Sequence, residues 1–345
     1  MLKGMGDFFA LDIGTNAIRV VQLRKSGSGW SLDHYGYAPI DSRLTSSDSE
    51  ESRRKVAEVI MTAVGQSGIR SKNVVIGLPS SKTFTTVVDV PNTNESELKA
   101  TMKYQIDQYI PMAVDEAKVD WALLGPSLRA QNQQEVLLSS VAREYSEARL
   151  ELVESLGLNV IAAEPDPIAM VRALTAPGSQ GAVLQLDMGE LSTDIAIVYG
   201  DAPRLIRTIP TGISSLVKAT VSNLNVQEDQ ARQFILKFGL APDRLEGQVL
   251  RALDATLDTF AAEVTKSIKF FETRYPSVAI DGALLTGFAS TIPQFDQYLG
   301  GKIGKNVQIA NPWQGVQISD SDQRQLAAVA QEFATAIGLA KRGVE

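Results

Sequence analysis

Cysteine is absent from the sequence, which excludes disulfides and thiolate-bound metals at once. Histidine occurs once, as His34, so no histidine cluster can hold a metal. Basic runs are missing too. Nothing exceeds Arg53-Arg54-Lys55, and the net charge is −7, so neither a nucleic-acid backbone nor an anionic lipid surface is an expected partner. No apolar run approaches the ~20 residues of a membrane-spanning helix. The opening, MLKGMGDFFALDIG, runs straight into a strand pattern containing Asp12 and does not read as a secretory leader. The ending, IGLAKRGVE, is too short for a membrane-surface helix. The expected location is the cytoplasm, with no direct membrane insertion; any work at a membrane needs a partner to hold the chain there.

What is present fits a globular protein of two domains or one large one: 345 residues, 44% apolar and 21% charged. Phe8 to Ile13, a Gly14-Thr15-Asn16 turn and Ile18 to Leu23 read as a hairpin, with Trp30 to Tyr37 as a third strand. A helix carrying Val56, Val59, Ile60, Ala63 and Val64 on one face follows, then a strand from Val74 to Leu78. Ser80 to Gly157 reads as a small α+β insertion. It holds strands at Thr83–Val90, Val119–Leu124 and Val136–Val141, a helix bearing Leu98, Met102, Ile106 and Ile110 capped by Asn94 and Glu97, and a helix from about Glu144 to Leu156. Glu164 and Asp166 are expected to cap a helix opening at Pro167. Ala176 to Gln180 is the main linker. Beyond it lie a long helix, Gln248 to Tyr275, with one buried stripe, and a final helix from Gln323 to Ala340.

The strongest internal signal is a repeat. Leu11-Asp12-Ile13-Gly14 opens the first half and Leu186-Asp187-Met188-Gly189 the second. Each ends one strand and turns tightly into another. Thr15 and Asn16 in the first turn, and Ser192 and Thr193 in the second, add polar groups beside backbone N–H donors suited to an anion. Each aspartate stands where it could hold magnesium through water. A third element, Leu284 to Ser290, leads from a strand through Gly287 to a helix start. Neither turn leads directly into a helix, which argues against a Rossmann site, and no GxxxxGK[ST] loop exists.

This order of motifs resembles the actin, heat-shock chaperone and sugar-kinase superfamily, and within it the type IV pilus assembly protein family PilM, relatives of the division protein FtsA. LDIGTNAIRVVQL and LDMGELSTDIAIV resemble the two phosphate motifs. LLTGFASTIPQFDQYLGGKIG resembles the adenosine motif, and VDVPNTNESELKATMKYQIDQYIPMAVDEAKVDW the inserted subdomain. The resemblance implies a duplicated, actin-like (ribonuclease H-like) α/β fold. Residues 1–79 and 158–178 would form the first domain, 80–157 the inserted subdomain and 179–322 the second domain, its outer part about 213–280. A C-terminal helix, 323–345, would pack back on the first. It implies ATP and Mg2+ in the cleft, met by Asp12, Gly14, Thr15, Asn16 and Arg19 on one side and Asp187, Gly189, Ser192 and Thr193 on the other. Gly287, Phe288, Ala289 and Ser290 would flank the adenosine, with Asp12 and Asp187 on the metal.

The implied function is a cytoplasmic scaffold of a pilus platform at the inner membrane, with weak or no ATPase activity. Its partner would be the N-terminal peptide of a bitopic PilN-like protein, alongside other platform proteins and self-association. The strand Thr83–Val90 is the expected edge for that peptide, with Tyr104, Gln105 and Tyr109 as a wall. An FtsA-like division protein and a sugar-kinase-type phosphotransferase remain alternatives. The chain departs from the family pattern at Arg19 (usually lysine), Glu190, Leu191, Phe288, Arg232 and Ile235. A carboxylate at Glu190 should repel phosphate unless metal or Arg19 offsets it.

Overall fold

The computed structural model describes residues 7–27, 29–47 and 49–344; the first six residues of the opening discussed above, and Glu345 at the tail, lie outside them. Fourteen strands are assigned among the described residues. In chain order they begin with β1 (Phe9–Ile13), β2 (Ala17–Ser26), β3 (Gly29–Pro39) and β4 (Asn73–Leu78). Next come β5 (Thr83–Pro91), β6 (Ala117–Pro126), β7 (Gln133–Ala142) and β8 (Asn159–Pro165). The second half holds β9 (Ala182–Met188), β10 (Thr193–Tyr199), β11 (Ala202–Ile209), β12 (Ile280–Gly287), β13 (Val307–Ile309) and β14 (Val316–Gln317).

One sheet has the order β14-β3-β2-β1-β4-β8 and another β11-β10-β9-β12-β13. Each is a three-stranded antiparallel meander whose first strand pairs parallel with a later one, β1 with β4 and β9 with β12. The sequence repeat is therefore a topological repeat. The insertion forms its own sheet, β5-β7-β6, over a core of Val88, Val90, Leu98, Met102, Ile106 and Ile110. Its helices include Glu95–Gln105, where the Asn94 side chain accepts from Glu97 N at 3.0 Å as the cap, and Arg143–Glu154.

The final helix differs from the expectation. It is split into Asp320–Leu326, a 3-10 turn Ala330–Phe333 and Ala334–Ala340. Carbonyls at the break are engaged elsewhere: Thr286 Oγ1 donates to Gln331 O at 2.8 Å, and Trp313 Nε1 to Ala330 O at 3.0 Å. Those bonds substitute for helix hydrogen bonds, and they bring Glu332 to the cleft.

Candidate functional site

Strand pleating explains why the repeated aspartates meet. Phe9, Leu11 and Ile13 pack in the core under the Glu50–Ser67 helix, while Ala10 lies in the core between the halves. Asp12 shares the Ala10 face. On β9, Leu184, Leu186 and Met188 enter the second-half core, which turns Asp187 the other way. On β10, Ala196 and Val198 face the middle core, and Asp194 follows them. Three carboxylates so converge on a cavity of about 130 Å³ between the halves, joined by Asp166, the first residue of the helix after β8.

Of the expected residues, Asp12, Gly14, Thr15, Asn16, Arg19, Asp187, Gly189, Ser192, Gly287 and Phe288 line this cavity. Thr193, Ala289 and Ser290 do not. The Thr193 hydroxyl is buried and donates to Thr211 O at 2.7 Å. Ala289 packs in the second-half core. The Ser290 hydroxyl turns back to Gly287 O at 2.6 Å. Gly287 is required where it stands: its φ is +65°, and a Cβ there would lie 2.3 Å from Asp187 Oδ1.

Arg19 is not free for an anion. Its Nη1 donates to Asp12 Oδ2 at 3.2 Å, and its Nη2 bonds Glu332 and Asn16. Burial still outweighs the arginine and raises the Asp12 carboxyl. Nor does Arg19, one of the two groups that could offset Glu190, bond to it. Arg232 does, with Nη2 2.5 Å from Glu190 Oε1 and its guanidinium 5.8 Å from the centre of the Phe288 ring. Three departures from the family pattern thus form one cluster. Ile235, another of the six departures, is core.

Neither Glu164 nor Asp166 caps the helix Asp166–Leu174, whose N-cap position is Pro165 with no side-chain hydrogen bond. Glu164 accepts from Arg172 at 2.5 Å and from Arg342, tying the C-terminal segment to β8. Asp166 instead leans over Gly77, where a Cβ would come within 2.1 Å. Its Oδ1 is buried without a hydrogen-bond partner. Burial, then Asp12 and Asp194, push this carboxyl well above the ordinary range. Burial and Asp194 push Asp187 up to about 7. Asp194 is raised by burial, against hydrogen bonds from Ser80 at 2.5 Å and Thr208 at 2.9 Å. Six carboxylates and a single guanidinium line the cavity among the described residues. Asp166, Asp194 and Glu332 escaped the sequence argument; the Glu-Pro-Asp-Pro start of a helix after a strand was the available signal for the first.

Residues 10–344 match the family model of the type IV pilus assembly protein PilM. The chain belongs to that family. Among solved structures it is similar to a chain of the PilM–PilN type IV pilus biogenesis complex, at 24% identity over 98% of this chain and 99% of that one, with a TM-score of 0.83. It is also similar to the ethanolamine utilization protein EutJ from Carboxydothermus hydrogenoformans, at 15% identity over 96% and 88%, TM-score 0.54. A non-polymerising MamK mutant bound to AMPPNP matches at 12% identity over 98% of each chain, TM-score 0.50. The fold is the actin-like ATPase fold, and its neighbours of that fold imply nucleotide binding.

In this PilM-family chain the remaining expected residues lie on the insertion. Tyr104 is 78% exposed on the Glu95–Gln105 helix, and Tyr109 Oη donates to Gln105 Oε1 at 3.4 Å. β5, the expected edge, packs against β11 of the second half, where Arg204 Nη1 meets the buried Glu135 at 2.6 Å. The other edge of the small sheet is β6. A cavity of about 260 Å³ runs from Val119 on β6 to Ala163 and Pro165 on β8, itself an edge strand, with Leu78, Val141 and Leu150 between. No helix among the described residues is long and apolar enough to cross a membrane.

Proposed function

We propose that this protein is an actin-like scaffold of a type IV pilus assembly platform, cytoplasmic and held at the inner membrane by a PilN-like partner, with ATP and Mg2+ in its cleft. The observation that carries the nucleotide reading is the pair of Asp-x-Gly turns on equivalent strands, opened toward each other across one cavity. The oxygen-rich lining suits a hard cation. No three acidic side chains among the described residues converge closely enough to ligate a metal directly, so Asp12 and Asp187 would hold magnesium through water. Bound there, magnesium would neutralise polyphosphate charge that six carboxylates otherwise repel. Asp166 is buried, its Oδ1 makes no hydrogen bond, and burial, then Asp12 and Asp194, raise its carboxyl well above the ordinary range; slow or absent hydrolysis is the expected behaviour. At about 130 Å³ the cavity is smaller than usual ligand pockets of roughly 300–1,000 Å³, so nucleotide entry requires the halves to part. The domains are taken as 1–79 with 158–178, 80–157, and 179–322.

Calorimetry with magnesium ATP tests this reading. Wild-type protein should bind, and Asp187→Asn should bind at least about tenfold more weakly, the loss of one charge-assisted contact. No heat and no thermal shift at millimolar nucleotide would overturn it.

The partner reading rests on family membership and on two open sheet edges, β6 and β8, flanking an apolar groove suited to strand addition. Leu150→Glu in the groove should abolish binding of a PilN-type N-terminal peptide, measured by fluorescence anisotropy. Charge substitutions at Tyr104 and Tyr109 test the helix wall separately; loss there with Leu150→Glu silent would move the peptide onto the helix.

A further inference from the structure

A second cavity, of about 740 Å³, opens beside the phosphate turns, and the two share Thr15, Ser81 and Ser192 in their walls. Their charges are opposite. Every charged side chain among the described residues lining the larger one is a cation: Arg53, Lys82 and Arg149. Each comes from a different element. Arg53 stands near the start of the Glu50–Ser67 helix, Lys82 in the 3-10 turn Ser80–Lys82 after β4, and Arg149 midway along the Arg143–Glu154 helix.

Two of the three are gathered on one ring. Lys82 Nζ lies 5.4 Å, and the Arg149 guanidinium 5.5 Å, from the centre of Tyr145. Arg149 Nη2 also donates to Tyr145 Oη at 2.7 Å. None of the three cations makes an ion pair with an acid among the described residues, in a chain whose net charge is −7. Like charges held on one ring repel each other. An anion between them removes that repulsion and takes up their unused N–H donors.

We propose that this cavity is an anion site for phosphate groups, next to the acidic chamber yet distinct from it. Guanidinium and ammonium groups on three walls, with hydroxyls of Ser81 and Ser192 at the shared rim, match a phosphate's several acceptor oxygens. Phosphate of this kind has two sources, the terminal phosphates of a nucleotide in the adjoining chamber or a separate phosphorylated small molecule. The site goes beyond the nucleotide reading and does not need it.

The test is calorimetric titration of inorganic pyrophosphate into the full chain, at low salt and without magnesium, so that the acidic chamber has no metal with which to attract it. Wild type should bind, more weakly as salt is added. Lys82→Gln, a change at an exposed side chain, and Arg149→Gln should each weaken binding about tenfold, and Arg149→Lys should recover most of it. No binding at millimolar pyrophosphate, or wild-type affinity in both glutamine variants, overturns the proposal. Repeating the titration over magnesium ATP identifies the source. Competition assigns the site to the nucleotide's terminal phosphates, and simultaneous binding assigns it to a separate anion; either leaves the site standing. If ATP itself fails to bind, the pyrophosphate result is unaffected.

Discussion

The two aspartate turns have the same topology and opposite electrostatics. On the first hairpin the cross-strand partner of Asp12 is Arg19; on the second the cross-strand partner of Asp187 is Asp194. One register position therefore holds an opposite-charge pair in the first half and a like-charge pair in the second. Opposite charges facing across a ladder stabilise it and like charges do the reverse. On the first hairpin Asp12 is countered from within by Arg19, which also holds Glu332. The second carries unpaired carboxylates that an external cation would relieve. The duplicated backbone supplies the place; the side chain opposite each aspartate decides whether that place is structural or waits for a ligand.

The largest effect should come from breaking the self-neutralised side. Arg19→Met leaves two buried carboxylates without their guanidinium, and losing one partner of a buried charge group costs about 3–5 kcal/mol. Urea unfolding measures it. A change under about 1 kcal/mol would mean the cluster is solvated and the contrast between the halves is illusory.

The unpaired side should show itself in pH dependence. Asp187 sits at about 7 in the folded chain, against ~3.9 when unfolded. Between those values the folded state keeps a proton that the unfolded state has lost, so stability of the ligand-free protein falls as pH rises through the window and levels off above it. Asp12, Asp166 and Asp194 are raised too, so they add to the same sign. Melting temperature should decline by several degrees from pH 5 to pH 8, and Asp187→Asn should flatten part of that slope. A melting temperature that climbs over this range would show these carboxylates to be ionised and stabilised already.

Much of this contrast was legible in the sequence, and what was not has a common cause. Asp12 and Asp187 could be read because strand, aspartate and glycine turn lie within a few residues, and alternation fixes which way the side chain points. The duplicated sheet order followed from the same repeat. The residues beside Asp166 in the chain suggest a helix cap; its actual neighbours, Gly77 and the two repeated aspartates, are distant in sequence. Glu332 reaches Arg19 across 313 positions, and only because the last helix breaks. Arg232 meets Glu190 across 42. The basic cavity draws on three separate elements, none basic enough alone to attract notice. Local chemistry was visible, and pairings set by packing were not.

The smallest expected effect tests the most local difference, the residue after each glycine turn. In the second loop Glu190 stands where an anion should approach, 9% exposed and held by Arg232. Its backbone is fixed independently: Ile213 N donates to Gly189 O at 3.1 Å and Ser214 N to Glu190 O at 3.0 Å, and Gly212 leaves no room for a Cβ against the loop. Glu190→Gln should therefore change charge without moving the loop. It removes a negative charge facing phosphate and frees a guanidinium already resting near Phe288. Affinity for magnesium ATP should rise about three- to tenfold, the size of one partly screened charge interaction. Arg232→Gln should do the opposite, since it leaves Glu190 uncompensated. The double variant separates two roles for Arg232. Affinity equal to Glu190→Gln alone means that the arginine only neutralises the carboxylate; lower affinity means that it also touches the nucleotide. Weaker binding by Glu190→Gln than by wild type would show that the Glu190–Arg232 pair shapes the pocket for its ligand rather than holding it shut.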